Sequence, residues 1–177
     1  MKRLLFLAAL APMLAQAQTI TSGAPPLTVL AAANLTCCGG STSETNVAAL
    51  RVPGGSIGPN GAVDVRCLFN YPNSANNKVF NIRFSTSAGV SGAGPAVTTA
   101  TTTAIASLWV QIRNAGATNS QVIYNVGATV PFGASANSPV TTAVDTTADT
   151  FINIDVTTAS GAETVTVNSC VATVFRA

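Results

Sequence analysis

The chain has 177 residues and no histidine, which excludes Ser-His-Asp and Cys-His catalytic groups, histidine zinc sites and histidine pH switches. Only 8% of residues are charged, against about 25% in an average globular protein, yet the hydrophobic fraction of 47% is ordinary, so the low charge does not signify disorder. The formal charge of +2 includes Lys2 and Arg3; without them six cations face six anions with no basic run, which speaks against nucleic-acid binding.

The first seventeen residues read as a secretory signal. Met1-Lys2-Arg3 is a positive start, Leu4 to Leu14 an apolar stretch too short to span a bilayer, and Ala15-Gln16-Ala17 a small-x-small cleavage pattern, leaving Gln18 as the mature start. The other reading of this segment is an apolar arm that docks on a partner. No later window is long and apolar enough for a membrane span, so none is expected in the mature chain.

Residues 18–46 are rich in Thr, Ala, Ser, Gly and Pro and read as an arm or linker, with one short strand around Leu27 to Leu30. Asn34-Leu35-Thr36 fits a glycosylation acceptor, discounted because the leader looks bacterial. Four cysteines, Cys37, Cys38, Cys67 and Cys170, agree with export and are disulfide candidates. Neighbours in sequence rarely bridge each other, so Cys37 and Cys38 are expected to pair with Cys67 and Cys170 in either order. Buried free thiols are the plain alternative. The CC spacing does not suit a zinc site.

From Val47 the texture becomes short alternating runs between turn clusters, giving a domain over 47–177. Val47 to Val52 leads into the turn Pro53 to Gly61. Val63, Val65, Cys67, Phe69 and Tyr71 then alternate with polar neighbours, as do Phe80, Ile82 and Phe84 after the loop Pro72 to Asn77. Ser87 to Ala96 is Gly-rich and reads as loose. A Thr-rich strand runs into Ile105 to Arg113, where Leu108, Val110 and Ile112 share one face and Trp109, Gln111 and Arg113 the other. Val122, Tyr124 and Val126 alternate before a loop through Pro131, Gly133 and Pro139. Phe151 to Val156 and Thr164 to Val174 close the chain. The pattern predicts an all-β fold: an antiparallel β-sandwich of jelly-roll type with about eight to nine strands. Its expected core is Val63, Val65, Cys67, Phe69, Phe80, Ile82, Phe84, Leu108, Val110, Ile112, Ile152, Ile154 and Val156.

Candidate chemistry is sparse. Asp145, Asp149 and Asp155 are the densest acidic group, but they lack the order of a calcium loop and read as turn caps or solvated side chains. Gly54-Gly55-Ser56-Ile57-Gly58 matches GxSxG in letters only, with Pro53 and Pro59 bracketing a turn and no histidine base. Lys78, the only lysine after the leader, is expected in solvent. Trp109, Tyr124 and Tyr71 are aromatics of a sugar platform or, more plainly, of core and sheet surface. The reading is therefore not an enzyme: no catalytic, cofactor-binding or metal residue is assigned, and no cofactor is expected.

Four segments, Pro53 to Gly61, Tyr71 to Lys78, Ile112 to Gln121 and Val144 to Asp149, resemble in order and spacing small jelly-roll virion proteins of tailed bacteriophages and prophages. The resemblance covers about Val47 to Phe175. It implies a tail-fibre, head-fibre or capsid-decoration subunit at the virion surface, commonly a homotrimer, whose partners are itself and other virion proteins or a host-surface polymer. The leader and the cysteines instead suit an exported protein, since phage particles assemble in a reducing cytoplasm. The alternative is thus a secreted bacterial β-sandwich for binding or adhesion, released after cleavage following Ala17.

Overall fold

The computed structural model describes residues 27–30, 35–126 and 139–177. The leader with its cleavage position, Asn34 and the loop through Pro131 and Gly133 lie outside them. The fold is an all-β jelly-roll sandwich with antiparallel sheets, and the described residues contain eleven strands and no helix. No helix among them is long and apolar enough to cross a membrane.

The strands are β1 (Leu27–Leu30), β2 (Leu35–Cys37), β3 (Thr45–Val52), β4 (Ala62–Asn70), β5 (Lys78–Ser85), β6 (Ala96–Thr101), β7 (Ile105–Asn114), β8 (Gln121–Asn125), β9 (Val140–Thr142), β10 (Thr150–Thr158) and β11 (Val165–Phe175). One sheet has seven strands in the order β1-β11-β4-β7-β8-β9, with β2 also on β11; the other has four in the order β3-β10-β5-β6. Strands beyond the expected eight or nine come from the segment read as an arm, where β1 and β2 pair with opposite halves of β11.

Period-two alternation builds the core. All thirteen expected core residues are buried, from Phe69, Phe80 and Phe84 at zero exposure to Leu108 at 4%. Two bulges reset the alternation. Asn168 is an extra residue on β11, so the inward set changes from Val165 and Val167 to Cys170, Ala172 and Val174. Val47 is extra on β3, between the partners of Ile154 and Asp155.

The same alternation turns Lys78 inward with Phe80, Ile82 and Phe84, which corrects its expected place in solvent. It is fully buried, with its ammonium 2.7 Å from Ser74 Oγ, 3.4 Å from Glu163 Oε1 and 5.5 Å from the centre of the Tyr71 ring. Glu163, from the β10–β11 turn, also accepts hydrogen bonds from Ser74 and Asn76. An ammonium carried into the sandwich by strand parity needs this counter-charge, because an unpaired buried cation is very unfavourable.

The outer face of the four-stranded sheet is polar and covered. The loop 86–95, read as loose, is pinned across it: Gly89 N–H donates to Asn153 Oδ1 at 2.9 Å, Gly92 N–H to Asp155 Oδ2 at 3.0 Å, and Arg83 Nη1 to the Gly94 carbonyl at 2.9 Å. Gly89, Gly92 and Gly94 all have positive φ, which glycine adopts without the steric cost of a Cβ and which lets the loop fold back with its amides turned to the sheet. Beneath it, Arg83 bridges Glu44 at 2.8 Å and Asp155 at 3.0 Å, and Asp155 also accepts from Asn46 at 2.7 Å.

Partial burial pushes the Glu44 carboxyl up, but hydrogen bonds from Arg83 and Asn81 and the Arg83 charge outweigh it and hold the group below its ordinary 4.5. For Glu163 the Ser74 hydrogen bond leads; with Asn76 and Lys78 it overcomes desolvation and lowers the group as well. Both carboxyls bind protons more weakly folded than unfolded. Their stabilisation is complete above the ordinary value of 4.5 and is lost as pH falls through the lowered folded values. Melting temperature should therefore hold between about pH 7 and pH 5 and fall on further acidification. A melting temperature that rises below that range would contradict this assignment.

The disulfides correct the expected pairing. Cys37 bridges Cys38, and Cys67 bridges Cys170. Cys67 and Cys170 are register partners on β4 and β11 with Cα atoms 4.1 Å apart, so the sheet presents them to each other. Cys37 ends β2 on the far edge of β11, opposite Val165, which leaves its neighbour as partner. Cys38 has φ +77°, a left-handed backbone that costs a residue other than glycine about 1 kcal/mol or more.

Candidate binding face on the seven-stranded sheet

The outward positions of β4, β7 and β8 place unlike side chains in register. Arg66 pairs across strands with Trp109, Asp64 with Gln111, and Gln111 with Tyr124. The Arg66 guanidinium carbon lies 4.4 Å from the centre of the indole, a cation–π contact at an exposed arginine. Gln111 Nε2 donates to Asp64 Oδ1 at 2.6 Å, while its Oε1 accepts from the Tyr124 hydroxyl. These bonds fix the glutamine and orient the phenol. The Trp109 indole N–H is buried and has no hydrogen-bond partner among the described residues.

Charge is unevenly spent. The ion pairs Arg51–Asp149, Lys78–Glu163 and Arg83 with Glu44 and Asp155 take up the other described cations, whereas Arg66, Arg113 and Arg176 have no carboxylate within 4 Å among the described residues. Arg66 and Arg113 are exposed on this one outer face. Arg113 lies four residues along β7 from the partner of Arg66, about 13 Å at ~3.3 Å per residue. Leu68, 39% exposed, and Ile105, 64% exposed, extend the surface at one end of the same strands.

The remaining candidates fall elsewhere. Tyr71 is buried; its ring packs 5.4 Å from that of Phe80 and its hydroxyl meets Thr103 Oγ1, so it does not join Trp109 and Tyr124. Asp145 accepts from the Thr147 amide and hydroxyl, and these bonds hold its carboxyl below the ordinary range. Asp149 accepts from the Gly54 amide and from Arg51, which lowers it likewise. Asp155 differs from the capping expectation, being buried in the Arg83 network. Among the described residues no three His, Cys, Asp or Glu side chains gather to hold a metal. Ser56 is buried in its turn, its hydroxyl donating to the Pro53 carbonyl at 2.6 Å. Asn70, Tyr71, Pro72, Thr164 and Thr166 line a shallow polar depression at the end near Lys78. The sequence reading missed the Arg66–Trp109 pair, whose signal was parity: both stand on outward positions of strands it had already drawn.

No protein-family description and no curated protein matches the chain. Two solved structures of alginate lyase A1-II′, a member of polysaccharide lyase family-7, are similar to it, one of them a variant in complex with product. Each has 12% identity and a TM-score of 0.27, over 85% of this chain and 77% of the other. The expectation that this chain is not an enzyme is corrected here, because the matched structures are those of an enzyme. A likeness this distant assigns no activity to the chain, and the exclusion of catalysis is withdrawn.

Proposed function

We propose that this chain is an exported β-sandwich that binds an acidic surface polymer through the outer face of its seven-stranded sheet. The observation that carries this reading is the pair of cations there: among the described residues Arg66 and Arg113 have no carboxylate within 4 Å, beside Trp109 and Tyr124 and with Asp64 held by Gln111, while the other sheet neutralises its own charges. Their separation suits an extended polymer better than one small anion. Two disulfides support an oxidising compartment, and so favour a secreted chain. Affinity electrophoresis in gels loaded with acidic polysaccharide tests it. Migration should be retarded, and Arg66→Ala or Trp109→Ala should relieve the retardation by about tenfold in apparent Kd, roughly 1.4 kcal/mol. Retardation should also weaken with salt. Equal migration of wild type and Arg66→Ala in every polymer would refute the assignment.

A virion-surface subunit is the second reading. It is supported by the loops that resemble phage jelly-roll proteins, three of which meet in one hydrogen-bonded end. Asn114 donates to the Gly58 carbonyl and to Thr146, and Gln121 joins Asn114, Thr118 and Val144. This reading expects a homotrimer by light scattering and an N-terminus at Met1 in purified particles. The exported module expects Gln18 as the first residue and oxidised cysteines in the medium.

A further inference from the structure

We infer that the Cys37–Cys38 disulfide is a thiol–disulfide exchange site whose opening releases one end of the sandwich. The two bridges differ sharply in access. Cys67 and Cys170 are 3% and 0% exposed, on strands with a neighbour on each side, whereas in the other bridge Cys38 is 7% exposed and Cys37 is partly exposed at the end of an edge strand of three residues. The Cys37 side is thus the more open approach for an attacking thiolate, and access governs exchange as much as acidity does.

The segment after Cys38 is also a clamp. The Ser41 amide donates to the Cys38 carbonyl at 3.1 Å, the Gly40 amide donates to the Gly161 carbonyl, and the Thr158 hydroxyl donates to the Ser41 carbonyl at 3.2 Å. The Gly40 bond holds the β10–β11 turn and the Thr158 bond the end of β10 beside it, and that turn carries Glu163, the counter-charge of buried Lys78. Cys38, one end of the bridge, has a left-handed backbone. Once the bridge opens, Cys38 can leave that region, and the bonds of residues 38–41 to the turn loosen with it.

The co-reactant is a dithiol reductant. Its thiolate attacks Cys37 Sγ, the Sγ–Sγ bond breaks, and Cys38 departs as a thiolate that takes up a proton. The second thiolate of the donor then attacks the donor's own sulfur in the mixed disulfide and expels Cys37. Two electrons pass to the protein and the donor leaves as its disulfide.

The test is graded reduction of the full chain with dithiothreitol, alkylation and peptide mapping, with hydrogen exchange on the same samples. Cys37 and Cys38 should be alkylated at about tenfold less reductant than Cys67 and Cys170. The amides of Gly40 and of Val165 to Val167 should then lose protection while those of β5 keep it. A Cys37→Ser, Cys38→Ser double variant should show the loosened exchange without reductant. Simultaneous reduction of all four cysteines, a non-reduced map joining Cys37 or Cys38 to Cys67 or Cys170, or labelling with unchanged exchange at Gly40 and Val165 to Val167 would each overturn the proposal.

Discussion

Phe80→Ala should lower the free energy of unfolding by about 3–5 kcal/mol. The Phe80 ring has no exposed surface and packs 4.4 Å from the ring of Phe69, which belongs to the opposite sheet, and 5.4 Å from that of Tyr71. Truncation loses the transfer free energy of the ring and leaves a space between two sheets whose register is fixed by their own hydrogen bonds, so collapse is incomplete. Urea denaturation should show a lowered midpoint with an unchanged slope. A midpoint equal to the wild type would mean that the inward face of β5 is wrongly assigned.

Asp155→Ala should cost about 3 kcal/mol, the low end for breaking a buried ion pair. Asp155 is fully buried and accepts from Asn46, from Arg83 Nε and from the Gly92 amide. Its removal takes the acceptor from the Gly92 amide, while Asn46 keeps the Ala48 carbonyl and Arg83 Nε keeps Glu44. The low end applies because Arg83 is 16% exposed and keeps Glu44 at 2.8 Å. Hydrogen exchange should rise at Gly92 and along loop 86–95, whereas Phe80→Ala should leave that loop protected. A loss under about 1 kcal/mol would place the pair among surface bridges.

The sandwich was legible because alternation in β4, β5, β7 and β10 is unbroken, and a period of two admits one inward set. Three things were hidden. Lys78 obeys the same alternation, but its charge suggested solvent, and nothing local announces that Glu163 will arrive from 85 positions away. The glycines of 86–95 suggested looseness, yet their φ freedom is what aims two amides at Asn153 and Asp155. The partner of Cys37 depends on where β2 docks, a three-residue pairing with β11 that carries no periodic signal. The proposed binding face was half visible: Trp109 and Tyr124 were singled out, but their neighbour Arg66 needed the β4–β7 register.

The Cys67–Cys170 bridge, with its partners 103 positions apart, also sets how the molecule would bear a pulling force. Residues 68–169 lie inside the covalent ring, so tension between the two ends of the chain passes from Cys67 to Cys170 and bypasses most of the sandwich. At ~3.4 Å per residue, on the order of 350 Å of contour length stays locked while the bond is intact. Stretching a single oxidised molecule should yield only the short rupture of β1, β2, β3 and the flanks of β4 and β11. A protein anchored at one end and bound to a polymer by the face of β4 and β7 would thus be loaded through sulfur before it was loaded through its core.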